Sequence, residues 1–455
     1  MHYLELLERA HNGEKIEKEQ WDVEYIVIKT MELISKYDLK FDSNTIIPTD
    51  DTLIENTFKA AKELISEIGV YYLSEGRRIY LTEEEIDEAL KNAKQEILMG
   101  EGKDAVTLYA RKPEDTRYPL VWAGNPGCPT PEDIFKPTVK SWAKEEVVDL
   151  ITCGSLTTVD GYPVRKHEAS ELLAVRRELD LLRSATREVG RPGMGMLAAE
   201  SAVSEIGDLA AVGTDRLRPC DSHLTVMLNE LVIDRDNMVR TASSIDYGMR
   251  NAGLTCTMVG GLGGDAAGSA LLMIASIMAA NILCRADYHL CHPIDLRHVA
   301  TSTRGSMYVH SMACQAYANH APNIIFCDIY PKSGALTKEL LYEVAANAIT
   351  ATVSGGHLEG VGAADGLVPH GTGLEVRLMG EVGRAVVDNR LTRETANEIV
   401  LKLLDKYEHV FSLEGGNQGK PFNEAYDMDK IEPVEEWVNM YEEVKKELNE
   451  MGLNI

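Results

Sequence analysis

The sequence predicts a (β/α)8 barrel with helical additions at both ends, and three observations support this prediction. From residue 120 to about residue 361, short apolar runs ending in glycine, proline or polar residues alternate with helical stretches. This alternation extends over about 250 residues, the usual length of such a barrel. The segments on either side show the apolar spacing of amphipathic helices instead. An open, doubly wound sheet is the structural alternative, because periodicity alone does not exclude it.

The chain is therefore divided into three parts: an N-terminal helical extension over 1–115, the barrel over 116–390, and C-terminal helices over 391–455. In the extension, Thr82 and Glu85 have the spacing of a capping box. Near the C-terminus, Pro433 begins a helix with Trp437 and Tyr441 on one face. The expected barrel strands lie at 120–123, 147–153, 194–196, 224–228, 255–259, 288–291, 324–329 and around Val361.

The composition is typical of a soluble protein of the cytoplasm. A formal net charge of −26 argues against nucleic-acid binding and is compatible with positively charged ligands. The eight cysteines lack the paired spacing of a zinc site or a disulfide scaffold, which indicates a reduced compartment. The N-terminus carries charge too early for a secretory signal. Residues 266–284 contain no charged side chain, and we predict a buried core helix there rather than a membrane span.

Two motifs have both a structural and a chemical interpretation. The glycine-rich segment 260–268 follows an expected strand and begins a helix, so its amides could hold an anion. It departs from the dinucleotide and Walker patterns, however, and close loop packing is favoured. His289 and His292 could ligate a metal, but a strand places them on opposite faces. A site would need Cys256 or His298 from another segment, so structural histidines are favoured.

Asp328 and Tyr330 are the strongest catalytic candidates from residue pattern alone. They lie two residues apart at the end of the apolar run 323–327, so both can face the same way. The C-terminal end of a barrel strand is where catalytic residues usually lie. A carboxylate beside a phenol suits a cation, because one supplies charge and the other supplies a ring face or a hydroxyl. The alternative is a strand-end cap with a buried tyrosine.

Many short motifs follow one another along nearly the whole chain. They include Arg-Pro-Gly-Met-Gly at 191–195, Asp-Ser-His at 221–223, Leu-Asn-Glu-Leu at 228–231, Met-Gly-Glu-Val at 379–382 and Phe-Asn-Glu-Ala-Tyr at 422–426. In this order they resemble the monomethylamine:corrinoid methyltransferases of methylotrophic archaea. The resemblance implies a (β/α)8 barrel, a homo-oligomer (a hexamer by analogy) and a small corrinoid-binding partner protein. The corrinoid would be supplied by that partner, so no tightly bound cofactor and no resident metal are expected.

The resemblance also implies an active site in which several polar groups have been replaced. Leu197 falls at the position of pyrrolysine, the residue that binds methylamine in the family. Leu224 replaces a glutamate that follows Asp-Ser-His, and Leu254 replaces a second glutamate before the paired glycines. Asp328 and Tyr330 correspond to a glutamine and a tyrosine. These five residues are the expected substrate-binding set, and Asp328 and Tyr330 are the expected catalytic pair.

These replacements predict a pyrrolysine-independent methyltransferase that acts on a quaternary amine or a similar onium compound. An amine anion is a very poor leaving group, whereas an onium centre releases a neutral molecule and needs less activation. Apolar walls with a nearby anion suit such a cation. Two alternatives belong to other classes. One is a non-catalytic paralogue that binds a ligand or a corrinoid protein, and the other is a metal-dependent enzyme that uses Cys256, His289 and His292.

Overall fold

Parallel strands close into a barrel in the computed structural model, which describes residues 2–213 and 215–455. Seven of them form one sheet: Val121–Ala123, Leu150–Ile151, Ser222–Met227, Arg250–Val259, Tyr288–Asp295, Ile325–Ile329 and His357–Gly360. The last strand pairs with the first, where Leu358 lies opposite Val121. The predicted barrel is confirmed, because this pairing joins the two ends that an open sheet would leave apart.

The third strand position is held by a short segment around Met196. The Leu197 N–H donates to the Ile151 carbonyl at 3.1 Å, and the Ser222 N–H donates to the Met196 carbonyl at 3.0 Å. These bonds link the second strand to the fourth and complete a ring of eight positions. The segment forms one bridge rather than a ladder, and just before it the Gly193 carbonyl accepts from the Glu101 N–H of the N-terminal extension.

One helix follows each strand position and packs on the outside of the barrel. The eight helices are Glu132–Ala143, Ala169–Glu188, Glu205–Ala211, Arg235–Tyr247, Ala266–Leu283, Arg304–His320, Lys338–Ser354 and Gly373–Asp388. Several begin at a side chain that accepts a hydrogen bond from a backbone N–H of the first turn, as at Asp234, Asp265, Thr303, Thr337 and Thr372. These caps fix the helix starts beside the C-terminal ends of the strands, where the loops meet.

Helix Ala266–Leu283 is apolar on all sides because neighbouring elements cover it. Within the described ranges it is the helix long and apolar enough to cross a membrane, but 94% of that window is buried inside the protein. The predicted core helix is therefore confirmed. At its first turn, a Cβ on Gly268 would lie 1.9 Å from the Gly263 carbonyl oxygen, so the glycines serve close packing here.

The N-terminal extension contains strands as well as the predicted helices. Its helices are Tyr3–Asn12, Lys18–Gln20, a π-helical Trp21–Ile28, Lys29–Tyr37, Asp51–Ile68 and Glu83–Lys91. Val70–Tyr72 pairs with Arg77–Ile79, and Glu96–Met99 pairs with Val106–Tyr109. Ile97, Met99 and Leu108 of the second pair join the apolar cluster inside the barrel. The extension thus plugs the end of the barrel at which the strands begin.

The C-terminal part packs helices against the side of the barrel. Its helices are Arg393–Tyr407, a 3-10 turn Glu408–Ser412, the short Phe422–Ala425 and Glu435–Glu450, with a small strand pair Tyr426–Asp427 and Glu432–Pro433. Trp437 and Tyr441 are buried on the inner face of the last helix, as its apolar spacing predicts. Trp437 donates through Nε1 to the Thr372 hydroxyl at 3.2 Å. The last helix is thereby tied to the eighth barrel helix at its start.

Candidate active site

A cavity of about 360 Å³ opens at the C-terminal end of the barrel. Below it, Trp122 stacks on Tyr288 with ring centroids 5.3 Å apart, and Phe326 meets Trp122 edge-on at 5.4 Å. These rings belong to the apolar cluster that fills the lower barrel interior and forms a floor. The cavity therefore occupies the place where enzymes of this fold carry their active sites.

All five side chains of the expected substrate-binding set line this one cavity. Leu197, Leu224 and Leu254 form apolar walls from the third, fourth and fifth strand positions. Asp328 and Tyr330 reach it from the end of the seventh strand. The structure thus brings together residues separated by more than a hundred positions in sequence. Their roles in binding and catalysis stay predictions.

Asp328 lies among polar groups of the two neighbouring strands. Its Oδ2 is 3.0 Å from His292 Nδ1 on the sixth strand, while its Oδ1 has no hydrogen-bond partner among the described residues. Glu359 lies opposite it in register on the eighth strand. Burial and the nearby carboxyl groups of Asp328 and Glu200 hold the pKa of Glu359 well above its ordinary value. This side of the cavity is strongly acidic.

Glu200 is a third carboxyl group of the cavity and comes from the loop after Leu197. Its Oε2 accepts from the Gly127 N–H at 3.2 Å, and its Oε1 accepts from the Thr152 hydroxyl at 3.1 Å. Burial raises its pKa to about 7. Glu178 holds the loop in place, because its carboxylate accepts from the backbone N–H groups of Glu200 and Ser201, both at 2.7 Å.

Tyr330 uses its hydroxyl to support the cavity wall. The hydroxyl donates to the Pro126 carbonyl of the loop after the first strand. The ring meets His292 edge-on with centroids 4.6 Å apart. A Cβ on Gly362 would lie 2.5 Å from the ring, so this glycine allows the ring to pack on the backbone. The hydroxyl is therefore already engaged by the protein.

The three residues of the metal alternative do not converge. Cys256 and His292 line the cavity side by side on adjacent strands. His289 lies on the other face of its strand, with Nε2 3.1 Å from Asn281 Oδ1. Within the described ranges, the side chains close enough to hold a metal ion together are His167, Glu205 and Asp236, outside this cavity. The metal-dependent alternative thus has no ligand set at the barrel centre.

The sequence matches the family model described as "Monomethylamine methyltransferase MtmB" over residues 1–453. The chain belongs to the monomethylamine methyltransferase family. It is 34% identical over 451 residues to monomethylamine methyltransferase MtmB2 of Methanosarcina acetivorans, which covers 98% of this chain and 97% of that protein. It is also 34% identical over 452 residues to MtmB1 of Methanosarcina barkeri, with the same coverage of both chains.

Two solved structures of this family superpose closely on the chain. The crystal structure of the Methanosarcina barkeri monomethylamine methyltransferase matches with a TM-score of 0.96 and 34% identity, covering 99% of this chain and 98% of that one. A hydroxylamine complex of MtmB gives the same values. The predicted family is confirmed, and the protein is a corrinoid-dependent methyltransferase.

Three acidic residues of the cavity are not predicted from the sequence: Glu200, Glu359 and Asp365. Glu200 follows two alanines beside Leu197, and Glu359 lies between Leu358 and Gly360 in the eighth strand. A carboxyl group inside a strand expected to be buried is the signal that could have identified Glu359, because such groups are rarely buried without a role. The register of the eighth strand on the seventh, which places Glu359 beside Asp328, is not visible in either segment alone.

Proposed function

We propose that this member of the family transfers a methyl group from a small methylated cation, a quaternary amine or a similar onium compound, without pyrrolysine. The acceptor would be the Co(I) corrinoid of a small partner protein. The observation that carries the proposal is a single cavity that combines leucine walls with buried carboxyl groups. We also propose that the protein acts in the cytoplasm as a homo-oligomer, with the three-part division given above.

The leucine walls favour a ligand that offers few hydrogen bonds. Leu197, Leu224 and Leu254 present methyl groups, which match the methyl surface of a quaternary centre. A polar ligand with many donors or acceptors would leave its groups unpaired against these walls, at a cost of about 1–3 kcal/mol for each buried group. Asp328 and Glu359 bring two carboxyl groups to the same space. The combination selects a cation with an apolar surface.

The protein's own contribution to the reaction is binding, orientation and the exclusion of water. The partner's reduced corrinoid supplies the nucleophile. As the bond between nitrogen and methyl breaks, its electron pair stays on nitrogen and the positive charge of the donor disappears. Apolar walls such as Leu224 and Leu254 favour this loss of charge, while Asp328 holds the cation before the reaction. No group of the protein needs to protonate the departing amine.

The mouth of the cavity offers a surface to the partner protein. Val299 lines the cavity on the loop after the sixth strand, and its exposed fraction is 43%. Leu367, on the loop after the eighth strand, is 58% exposed. Exposed apolar residues around an active-site opening suit contact with another molecule. These residues fit the approach of a corrinoid held by its own protein.

Monomethylamine, which the names of the relatives specify, is the second candidate donor. The observation that favours it is the set of buried carboxylate oxygens without a hydrogen-bond donor, on Asp328 and Glu359. The N–H groups of a methylammonium ion could fill them, whereas a quaternary ammonium has none. The non-catalytic alternative would suit a collapsed barrel mouth filled by leucines. Instead, the cavity is open and contains Asp328 and Tyr330.

The test combines the purified protein with a reduced cognate corrinoid protein and a set of donors. The donors are tetramethylammonium, a trimethylsulfonium salt and monomethylamine, and the absorbance of cobalt reports methyl transfer. We expect methyl-cobalt with the onium donors, and a rate at least about tenfold lower in Asp328→Asn. Exposed Asp246→Asn is the matched control and should keep the wild-type rate.

The donors separate the possible outcomes. Methyl-cobalt from monomethylamine but not from the onium compounds would replace the proposed donor with the second candidate. Absence of methyl-cobalt with every donor, while the corrinoid protein accepts a methyl group from methyl iodide, would refute the proposal.

A further inference from the structure

We propose that Glu359 holds a proton beside Asp328 in the free protein, and that a permanently charged cation takes the place of this proton when it binds. Glu359 thereby becomes a donor-binding residue that no sequence motif indicates. The inference rests on the proposed function for the kind of cation. It adds that binding is an exchange: one cation enters and one proton leaves.

The position of the two carboxyl groups carries the inference. Asp328 and Glu359 are paired in register on adjacent parallel strands, and their exposed fractions are 4% and 0%. Both side chains line the same cavity, and the charge of Asp328 helps to raise the pKa of Glu359. Two ionised carboxylates on neighbouring strands repel strongly in a buried site, so the Glu359 carboxyl group keeps a proton.

Within the described part of the chain, no other group donates a hydrogen bond to the carboxyl oxygens around this proton. Asp328 Oδ1 and both carboxylate oxygens of Glu359 lack a hydrogen-bond partner among the described residues. Burying such groups without a partner is costly, and native proteins retain them mainly where a ligand or an ion completes the site. The cavity lies directly against them. They therefore form a cationic site that a proton fills by default.

Few positive groups are available to balance these carboxyl groups. His292 lies 3.0 Å from the other oxygen of Asp328, and Lys332 at the rim is paired with Asp365 at 2.6 Å. Within the described ranges, no lysine or arginine forms an ion pair with Asp328 or Glu359. The remaining titratable neighbours of the pair are Glu200, Tyr330, Cys256, Cys291, Cys327 and His310.

Exchange of a proton for a cation has a measurable consequence. The net charge of the site is unchanged, because the cation brings one positive charge and the proton carries one away. While Glu359 is protonated, the affinity for the cation should increase about tenfold for each unit of pH. The increase should stop once Glu359 has lost its proton in the free protein. A ligand that binds without exchange would show no such slope.

The experiment measures proton release directly by titration calorimetry with tetramethylammonium chloride at about pH 7. Titrations in phosphate and in Tris, which differ in their heats of ionisation, give the number of protons released per cation bound. We expect about one proton for the wild-type protein and close to none for Glu359→Gln. Glu375→Gln is the matched control, because Glu375 is a buried glutamate outside the cavity whose pKa burial raises to about 7.

Each outcome supports or overturns the inference. Release of a proton that persists in Glu359→Gln would assign the proton to another group and overturn it. Absence of binding, or binding without release by the wild-type protein, would overturn it as well. If Glu359→Gln fails to fold, the dissociation constant of the wild-type protein between about pH 5 and pH 9 decides, because a flat profile contradicts exchange.

The same results separate this inference from the proposed function. Methyl transfer from onium donors without proton release would keep the proposed function and remove the exchange. Proton release without methyl transfer would do the reverse.

Discussion

Tyr330 has two parts with separable roles, a hydroxyl that supports a loop and a ring beside the cavity. Tyr330→Phe removes the hydrogen bond to the Pro126 carbonyl, and we expect a loss of about 1 kcal/mol in the free energy of unfolding. Tyr330→Leu removes the ring as well, and we expect about threefold to tenfold weaker binding of tetramethylammonium. Thermal unfolding and calorimetry measure the two effects. Equal weakening of binding in both variants would show that the hydroxyl contacts the cation.

The single residues of the site differ in how far the sequence predicts them. Leu197, Leu224 and Leu254 could be chosen because the resemblance to the family implies that each replaces a polar residue. All three side chains line the same cavity. Glu359 could not be chosen in the same way, because its neighbour Asp328 comes from another strand. Contact between two side chains on different strands depends on register, which only the folded barrel defines.

At the scale of elements, helix Ala169–Glu188 positions a loop that the sheet does not hold. Glu178 accepts from two backbone N–H groups of the loop that carries Glu200. In Glu178→Ala these donors lose their buried partner, and we expect a loss of about 1–3 kcal/mol in stability and a slower methyl transfer. Thermal unfolding and the cobalt assay test this.

The same helix provides the control for this prediction. Glu188 is exposed near the C-terminal end of the helix and pairs with Lys136 and Lys140 on the surface. Glu188→Ala should change stability by less than about 1 kcal/mol, because exposed ion pairs contribute little. A loss of methyl transfer in Glu188→Ala as large as in Glu178→Ala would contradict the positioning role.

The sixth strand shows where the apolar pattern of the sequence no longer predicts the end of an element. The sixth strand was expected over 288–291 but extends over Tyr288–Asp295. The apolar run ends at His292, and this residue faces the cavity instead of the packed core. A polar side chain that faces the cavity interrupts the apolar pattern of its strand. Strand ends near a functional site are therefore harder to predict than strands in the core.

At the scale of the whole molecule, many buried glutamates make stability depend on pH. Burial raises the pKa of Glu178 to about 8, and raises those of Glu200, Glu230, Glu343 and Glu375 to about 7. These groups bind protons more tightly in the folded state, so their contribution is full at pH below about 4.5 and is lost as pH increases through about 8.

We therefore expect the melting temperature to fall by about 5 °C or more between pH 6 and pH 8.5. The formal net charge of −26 acts in the same direction, because repulsion grows as more carboxyl groups ionise. Thermal unfolding at constant ionic strength measures the change. A melting temperature that increases over this range would show that the buried glutamates are ionised in the folded protein.

The overall architecture was the most predictable property of the chain. Alternating strand and helix patterns over residues 116–390 correspond to a barrel that begins at Val121 and ends with the helix Gly373–Asp388. The N-terminal strand pair that plugs the barrel was not predicted, because Glu96–Met99 and Val106–Tyr109 are short and lie in a charged, otherwise helical segment. A pattern that repeats over many residues can be recognised in the sequence. A short strand pair cannot, because its formation depends on the surface that it covers.

The single bridge at the third strand position has a consequence for redesign. Because Met196 makes no ladder with either neighbour, residues 197–204 are free of the side-chain alternation that a full strand imposes. The segment is anchored by bonds to the two neighbouring strands, to helix Ala169–Glu188, to the loop at Ser155 and to Arg240. This segment, the 197–204 cassette, contributes Leu197 and Glu200 to the wall of the cavity. We expect that exchange of this cassette between related barrels changes the preference for the methyl donor.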